Sequence, residues 1–409
     1  MRSHTVPRAA LAGRRVLELA DEKGVYCGKL LADMGADVVK IERPGGDATR
    51  DIPPFWRDEP GRDRSLFYLY MNTSKRGITL DGTSAEGRDL LLRLAATADL
   101  VIETFAPGYL DGLGLGYQTL RALRPTLVFT SITDFGQTGP HRHFRSADLV
   151  ASALGGAMHV TGGDADPPVT LAGFQANVMA STCAAAASLI AFYHAAQTGE
   201  GQHVDISIEE TTAATTHVCG IGKWLDDGIV PRRGGTGLFA SVPSGAYPCR
   251  DGLVYLMVNR PLHWKALARW IHEVTGVEAV LDRLFEGPSS NRLPHRDLLD
   301  VYIADLTQRF TVDEVYREGQ RRHLAFTPVN SAPAVADDPH LAARSYFVEV
   351  EHRGAGRLRY PGAPYRHTET PWRIARPAPA AGEHNAEIYG GELGLSAERL
   401  RALQEAGVL

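Results

Sequence analysis

The run Arg15-Val-Leu-Glu-Leu-Ala-Asp-Glu-Lys-Gly24, continued by Tyr26-Cys-Gly-Lys-Leu-Leu-Ala-Asp-Met-Gly-Ala-Asp-Val-Val-Lys-Ile-Glu-Arg-Pro-Gly45, decides the fold. Val16, Leu17 and Leu19 form a short apolar strand. Leu30, Leu31 and Met34 recur at helical spacing, and Gly35 sits where a helix must stop before Val38, Val39 and Ile41 resume extended chain. Strand, turn, amphipathic helix and second strand make a βαβ unit, the opening of a parallel sheet.

Working outward, the alternation continues. Gly77 to Asp81 reads as a strand, Ala85 to Ala98 as a helix, Leu100 to Glu103 and Leu127 to Ile132 as strands. Ala180 to Ala196 is a long Ala-rich helix ended by Thr198-Gly-Glu-Gly201, with Val204 to Ile208 as the next strand. This order predicts an open parallel sheet covered on both faces. Past Trp224 the texture changes. Pro231 to Gly237 is loop-like, Val254 to Val258 a strand and Trp264 to Val274 a helix, which makes a second, smaller α/β unit ending near Ala325. From Pro328 onward the chain is rich in Pro, Arg and Gly, with strands near Tyr346 to Val350 and a last helix, Ala397 to Ala406. Such a tail is expected to wrap over another surface. No internal repeat is evident.

The 409 residues, 44% of them apolar, are enough for a large core. A net charge of -5 without basic runs argues against nucleic acid as a partner. Met1 to Leu11 lacks the apolar centre of a signal peptide, so a cytoplasmic protein is expected. The apolar stretch Val178 to Ala196 is broken by Ser181, Thr182, Ser188 and His194, which favours a buried core helix over a membrane span. Cys27, Cys183, Cys219 and Cys249 show neither metal nor redox spacing and read as buried free thiols. His141 and His143 lack a third ligand, so no metal is expected. Gly112-Leu-Gly-Leu-Gly116 does not open a helix directly after a strand, which argues against NAD.

Several separated motifs stand in one order: the opening run, Ile41 to Arg50, Asn72-Thr-Ser-Lys-Arg76, Pro107-Gly108 before Leu113-Gly-Leu115, Phe135-Gly-Gln-Thr-Gly-Pro140, Thr198 to Asp205, and Gly382-Glu-His-Asn385. Together they resemble the class III CoA-transferases, the family of formyl-CoA transferase, carnitine CoA-transferase and the α-methylacyl-CoA racemases. The resemblance implies a Rossmann-like large domain built from both chain ends (1–225 and 328–409), a small central α/β domain (226–327), and a dimer of interlocked chains. It also implies that coenzyme A or an acyl-CoA is a substrate, with no covalent cofactor. Residues matching Arg43, Met71, Asn72, Thr73, Ser74, Lys75, Thr104, Phe105 and Arg145 would line the CoA site. Cations there suit phosphates, which they pair by charge-assisted hydrogen bonds.

In the family an Asp before the Ala-rich helix attacks the donor thioester, passes through an anhydride to an aspartyl-CoA thioester, and hands CoA to a carboxylic acid. Counting back from Thr198 places the counterpart at Asn177, and an amide cannot follow that route at a useful rate. Thr104 and Gly112 also depart from the family pattern. The racemase branch is disfavoured because its His-Asp pair reads Ala147-Asp148 here. Glu22 is the acidic side chain that motif position brings to the thioester. It reads equally as a carboxylate favoured at a helix N-terminus. Asp21 to Gly28 resembles the benzylsuccinate CoA-transferase branch, which implies a non-catalytic subunit paired with a paralogous, Asp-bearing one. A homodimer using Glu22, a repurposed acyl-CoA enzyme, a deliberate Asp-to-Asn exchange, and a scaffold that has lost CoA remain alternatives.

Overall fold

In a computed structural model, residues 9–217, 220–238 and 241–409 are described. Cys219 lies outside them. The chain divides into two compact units, residues 1–155, 172–215 and 342–409 in the first and 156–171 and 216–341 in the second.

The first unit is built on six parallel strands: β1 (Arg15–Leu19), β2 (Asp37–Glu42), β3 (Arg76–Thr79), β4 (Leu100–Glu103), β5 (Val128–Thr133) and β6 (His203–Ser207). Their order, β3-β2-β1-β4-β5-β6, is the doubly wound Rossmann order, which reverses direction between β1 and β4. Alternation along the strands divides the core in two. Leu17, Val39, Ile78, Val101 and Phe129 face the helix Ala85–Ala95 and the C-terminal helices. Val16, Val38, Leu100, Val128 and Ile132 face the helix Val25–Asp33 and the long helix Gln175–Thr198.

Ala176, Ala180, Ala184 and Ala191 are buried along that long helix, where small side chains let it lie close against the sheet. It is also the one helix among the described residues long and apolar enough to cross a membrane. Its opposite face leaves Ile190 and Tyr193 exposed. Cys27 is buried as expected, but Cys183 is exposed, because it lies on the outer side of this helix.

The tail folds back on its own unit. The free edge of β3 is sealed by residues 376–389: the Ser74 N–H donates to the Arg376 carbonyl, and the His384 N–H donates to the Gly77 carbonyl. His384 Nδ1 accepts the Gly77 N–H, and Asn385 Oδ1 accepts the Thr79 N–H. An open sheet edge is thereby covered. The hairpin β10 (Phe347–His352) and β11 (Gly356–Pro361), numbered after three strands of the second unit, packs on Leu69.

The second unit carries an antiparallel sheet of β7 (Ser244–Pro248), β8 (Leu253–Met257) and β9 (Phe326–Pro328). Trp264 and Trp270 of the amphipathic helix Pro261–Thr275 fill its core with Leu256 and Phe326.

Candidate functional site

Ligands of open α/β sheets bind beyond the carboxyl ends of the strands, where the order reverses. A cleft of about 440 Å³ lies there. Leu19 at the end of β1, with Ala20 and Asp21 after it, forms one wall, and Thr104 and Phe105 after β4 the other. Thr104 Oγ1 accepts the Asp21 N–H at 3.0 Å and ties the two walls together. Ile41, Leu80, Leu113 and Leu115 make the floor apolar, and Arg43 stands at the rim.

Buried charge fixes the turn at the end of β1. Lys75 Nζ lies 2.9 and 2.7 Å from the two Glu18 oxygens and also donates to the Val25 carbonyl and to Asn72 Oδ1. Lys40 Nζ donates to the Ala20 carbonyl and pairs with Asp47 at 2.8 Å. Glu18, Lys40 and Lys75 are fully buried. Burial pulls the Lys75 ammonium down to about 8, and Glu18 opposes that fall.

Of the cations in the Ile41 to Arg50 motif, Arg50 is consumed inside the fold by a two-pronged bond to Glu42, 2.7 Å on each prong. Arg43 is exposed, and among the described residues its guanidinium donates a hydrogen bond to the Gly46 carbonyl alone, which leaves its other N–H groups available to a ligand.

The 72–75 stretch is placed differently from Arg43. Asn72, Thr73 and Lys75 are fully buried. Thr73 Oγ1 accepts from Lys29 Nζ, and Ser74 Oγ donates to Asp33 at 2.6 Å. These side chains hold the β3 entry together and do not line the cleft, and Met71 ends the preceding short helix. Arg145 sits on an exposed loop, outside the cleft wall.

Asn177 occupies the third position of the long helix and is 2% exposed. Its backbone N–H donates to Asp148 Oδ1 at 2.9 Å, so a carboxylate from another helix caps this N-terminus. The Asn177 carboxamide oxygen is buried without a hydrogen-bond partner among the described residues. One turn later Ser181 Oγ donates to the Lys23 carbonyl at 2.7 Å. The helix that carries Asn177 is therefore joined to the turn that carries Glu22.

Burial and the neighbouring Asp21 raise the Glu22 carboxyl above its usual range, with Asp134 adding to the rise. Asp134, after β5, is likewise raised by burial, although Lys23 pulls it down. Lys23 Nζ pairs with Asp21 at 2.6 Å. The motifs did not single out Asp21 or Asp134 as functional, and sequence separation hides their meeting.

The remaining motifs serve mostly as ties. The Gln137 N–H donates to both Asp205 oxygens, joining Phe135-Gly-Gln to the Thr198 to Asp205 segment. His141 stacks on Phe144 at 4.7 Å, and His143 accepts from Arg142. No group of three metal-ligating side chains occurs among the described residues.

The family model of CoA-transferase family III matches residues 11–385. The chain belongs to CoA-transferase family III. Among its family III relatives is the succinyl-CoA:(R)-benzylsuccinate CoA-transferase subunit BbsE of Thauera aromatica, 37% identical over 91% of this chain and 92% of that protein. Another is the succinyl-CoA–D-citramalate CoA-transferase of Chloroflexus aurantiacus, 33% identical over the full length of both. The crystal structure of a CAIB/BAIF family protein from Brucella suis superposes with a TM-score of 0.83 at 28% identity, covering 94% of this chain and 99% of that one. The first two of these relatives are named as CoA-transferases that use succinyl-CoA as donor.

Proposed function

We propose that this family III protein binds an acyl-CoA in the cleft between the ends of β1 and β4 and takes part in transferring CoA from a thioester to a carboxylic acid. Arg43 pairs a phosphate of the nucleotide, and the apolar floor takes its uncharged part. The thioester end reaches the Glu22 turn and Asn177, where a carboxamide stands in place of the family's aspartate. The single observation that carries this reading is the Ser181 to Lys23 bond, which fixes the helix of Asn177 against the turn leading into the cleft.

Because an amide lacks the charge of a carboxylate, the chain works as the non-catalytic member of a pair whose paralogous subunit supplies the aspartate. The relative named as a subunit favours this arrangement. Interlocked pairing with that subunit, or with a second copy, is part of the same proposal. A second reading, nucleophilic attack by Glu22 in a homodimer, is favoured by the raised Glu22 carboxyl in its half-buried acidic cluster.

The test incubates purified chain with succinyl-CoA and then borohydride or hydroxylamine, reading intact mass. The subunit proposal expects no trapped enzyme thioester in the isolated chain and a trapped one on the co-purified partner. A modification on this chain that disappears in Glu22→Gln would replace it with the second reading. Absence of CoA binding by calorimetry would overturn both.

A further inference from the structure

A second cavity, of about 230 Å³, opens on the face of the sheet opposite the long helix. Three strands that are far apart in sequence build it. Glu103 ends β4, Ser131 lies beside it on β5, and His203 begins β6. His203 Nε2 is 2.9 Å from Ser131 Oγ, and Ser131 stands directly beside Glu103 in the register of β4 and β5. Glu103 accepts the Phe105 N–H at 2.7 Å and is 5% exposed. Asp111 supplies a second carboxylate, which fills the space a side chain at Gly116 would need.

We propose that this cavity binds a small organic ammonium compound bearing a hydroxyl, such as an amino alcohol. Two carboxylates face it, and none of the described residues lining it is a lysine or arginine. Three rings wall it: the Tyr117 and Phe129 centroids are 6.1 Å apart, and each is within 5.5 Å of His203. Ring faces attract a cation, and an ammonium donates charge-assisted bonds to carboxylates. Gln137 Nε2, also at the wall, is buried without a partner among the described residues and calls for an acceptor on the ligand.

The titrating groups around Glu103 agree with this geometry. Burial pushes its carboxyl up to about 7; the neighbouring Ser131 hydroxyl and the bond from the Phe105 N–H pull it down, and Asp111 and Asp21 push it up further. Burial holds His203 below the usual histidine range, so it brings no positive charge at neutral pH. A bound ammonium supplies the missing cation and holds Glu103 ionised.

The experiment titrates ethanolamine into the full-length protein by calorimetry and thermal shift. Ethylene glycol serves as the uncharged analogue of the same size. Saturable binding of ethanolamine at pH 8 is expected, with none for ethylene glycol. Lowering the pH from 8 to 6 protonates Glu103 and weakens binding by about tenfold. Glu103→Gln abolishes binding. Asp111→Asn, at an exposed position that leaves the core intact, weakens it and carries the test if the first variant does not fold. Absence of binding, equal binding of ethylene glycol, or affinity unchanged in Asp111→Asn and Glu103→Gln overturns the proposal.

Discussion

Ser181 donates its hydroxyl proton to the backbone carbonyl of Lys23 across 158 positions of sequence, with Ser181 fully buried and Lys23 half-buried. A half-buried carbonyl that loses its donor costs about 0.5–1.5 kcal/mol, the net worth of one hydrogen bond. Ser181→Ala is therefore expected to destabilise the first unit by that amount and to loosen the Glu22 turn. Denaturant unfolding measures the first effect. The affinity for acyl-CoA is expected to fall with it, while Ser181→Thr, which keeps the hydroxyl, restores both.

Asn177→Asp places a carboxylate in the first turn of a 24-residue helix, whose amide N–H groups favour negative charge. Asp148, bonded to the residue 177 N–H, opposes full ionisation and keeps the new carboxyl basic. CoA transfer by the isolated chain is expected to rise at least about a hundredfold, equivalent to ~3 kcal/mol of barrier. Initial rates with succinyl-CoA and a panel of carboxylic acids measure it. No gain, in a chain already active without the change, would remove Asn177 from the account.

Gly28→Ala tests the buried ion pair. A Cβ at residue 28 would stand 1.6 Å from Glu18 Oε2 and 3.3 Å from Lys75 Nζ. Neither group can move without losing its partner. Breaking such a pair costs about 3–5 kcal/mol, so the variant should express poorly or melt far below the parent. A melting midpoint within a degree of the parent would show that the pair can rearrange.

His352 sets an acid limit on stability. It is 2% exposed, its Nε2 meets the Tyr360 hydroxyl at 2.8 Å, and burial lowers it from 6.5 to about 4. The unfolded chain thus binds the proton more tightly than the native one. The stability this site contributes is complete above pH 6.5 and is lost as pH falls toward 4, a loss of about 3 kcal/mol. Urea unfolding between pH 7 and 4 should show that slope, and His352→Gln should flatten it.

Much of the first unit was legible because local periodicity writes it. Leu17 and Leu30 already lie in the strand and helix their spacing demanded, and Gly199, at φ 76°, ends the long helix where Thr198-Gly-Glu-Gly predicted. The site was legible to a lesser degree. Arg43 and Thr104 were named through the family resemblance, and they border the cleft just after β2 and just after β4, whereas the direction of Thr73 and Lys75 depends on Asp33 and Glu18, partners about forty and fifty-seven positions away. Asp148 reads as a lone acid until the long helix is laid beside it. Glu103, Ser131 and His203 share no motif, and only the lateral register of three strands brings them together. The tail's landing place was hidden for the same reason, since nothing near His384 announces β3.

That landing place has a consequence for biosynthesis. The amide groups of Gly77 and Thr79 receive their acceptors from residues more than three hundred positions later. While the ribosome is still translating, the sheet therefore has a naked margin, open to strand addition by any other nascent chain. Only the final few dozen residues close it, so a premature stop before Gly382 would yield a product prone to clump despite carrying nearly every core side chain.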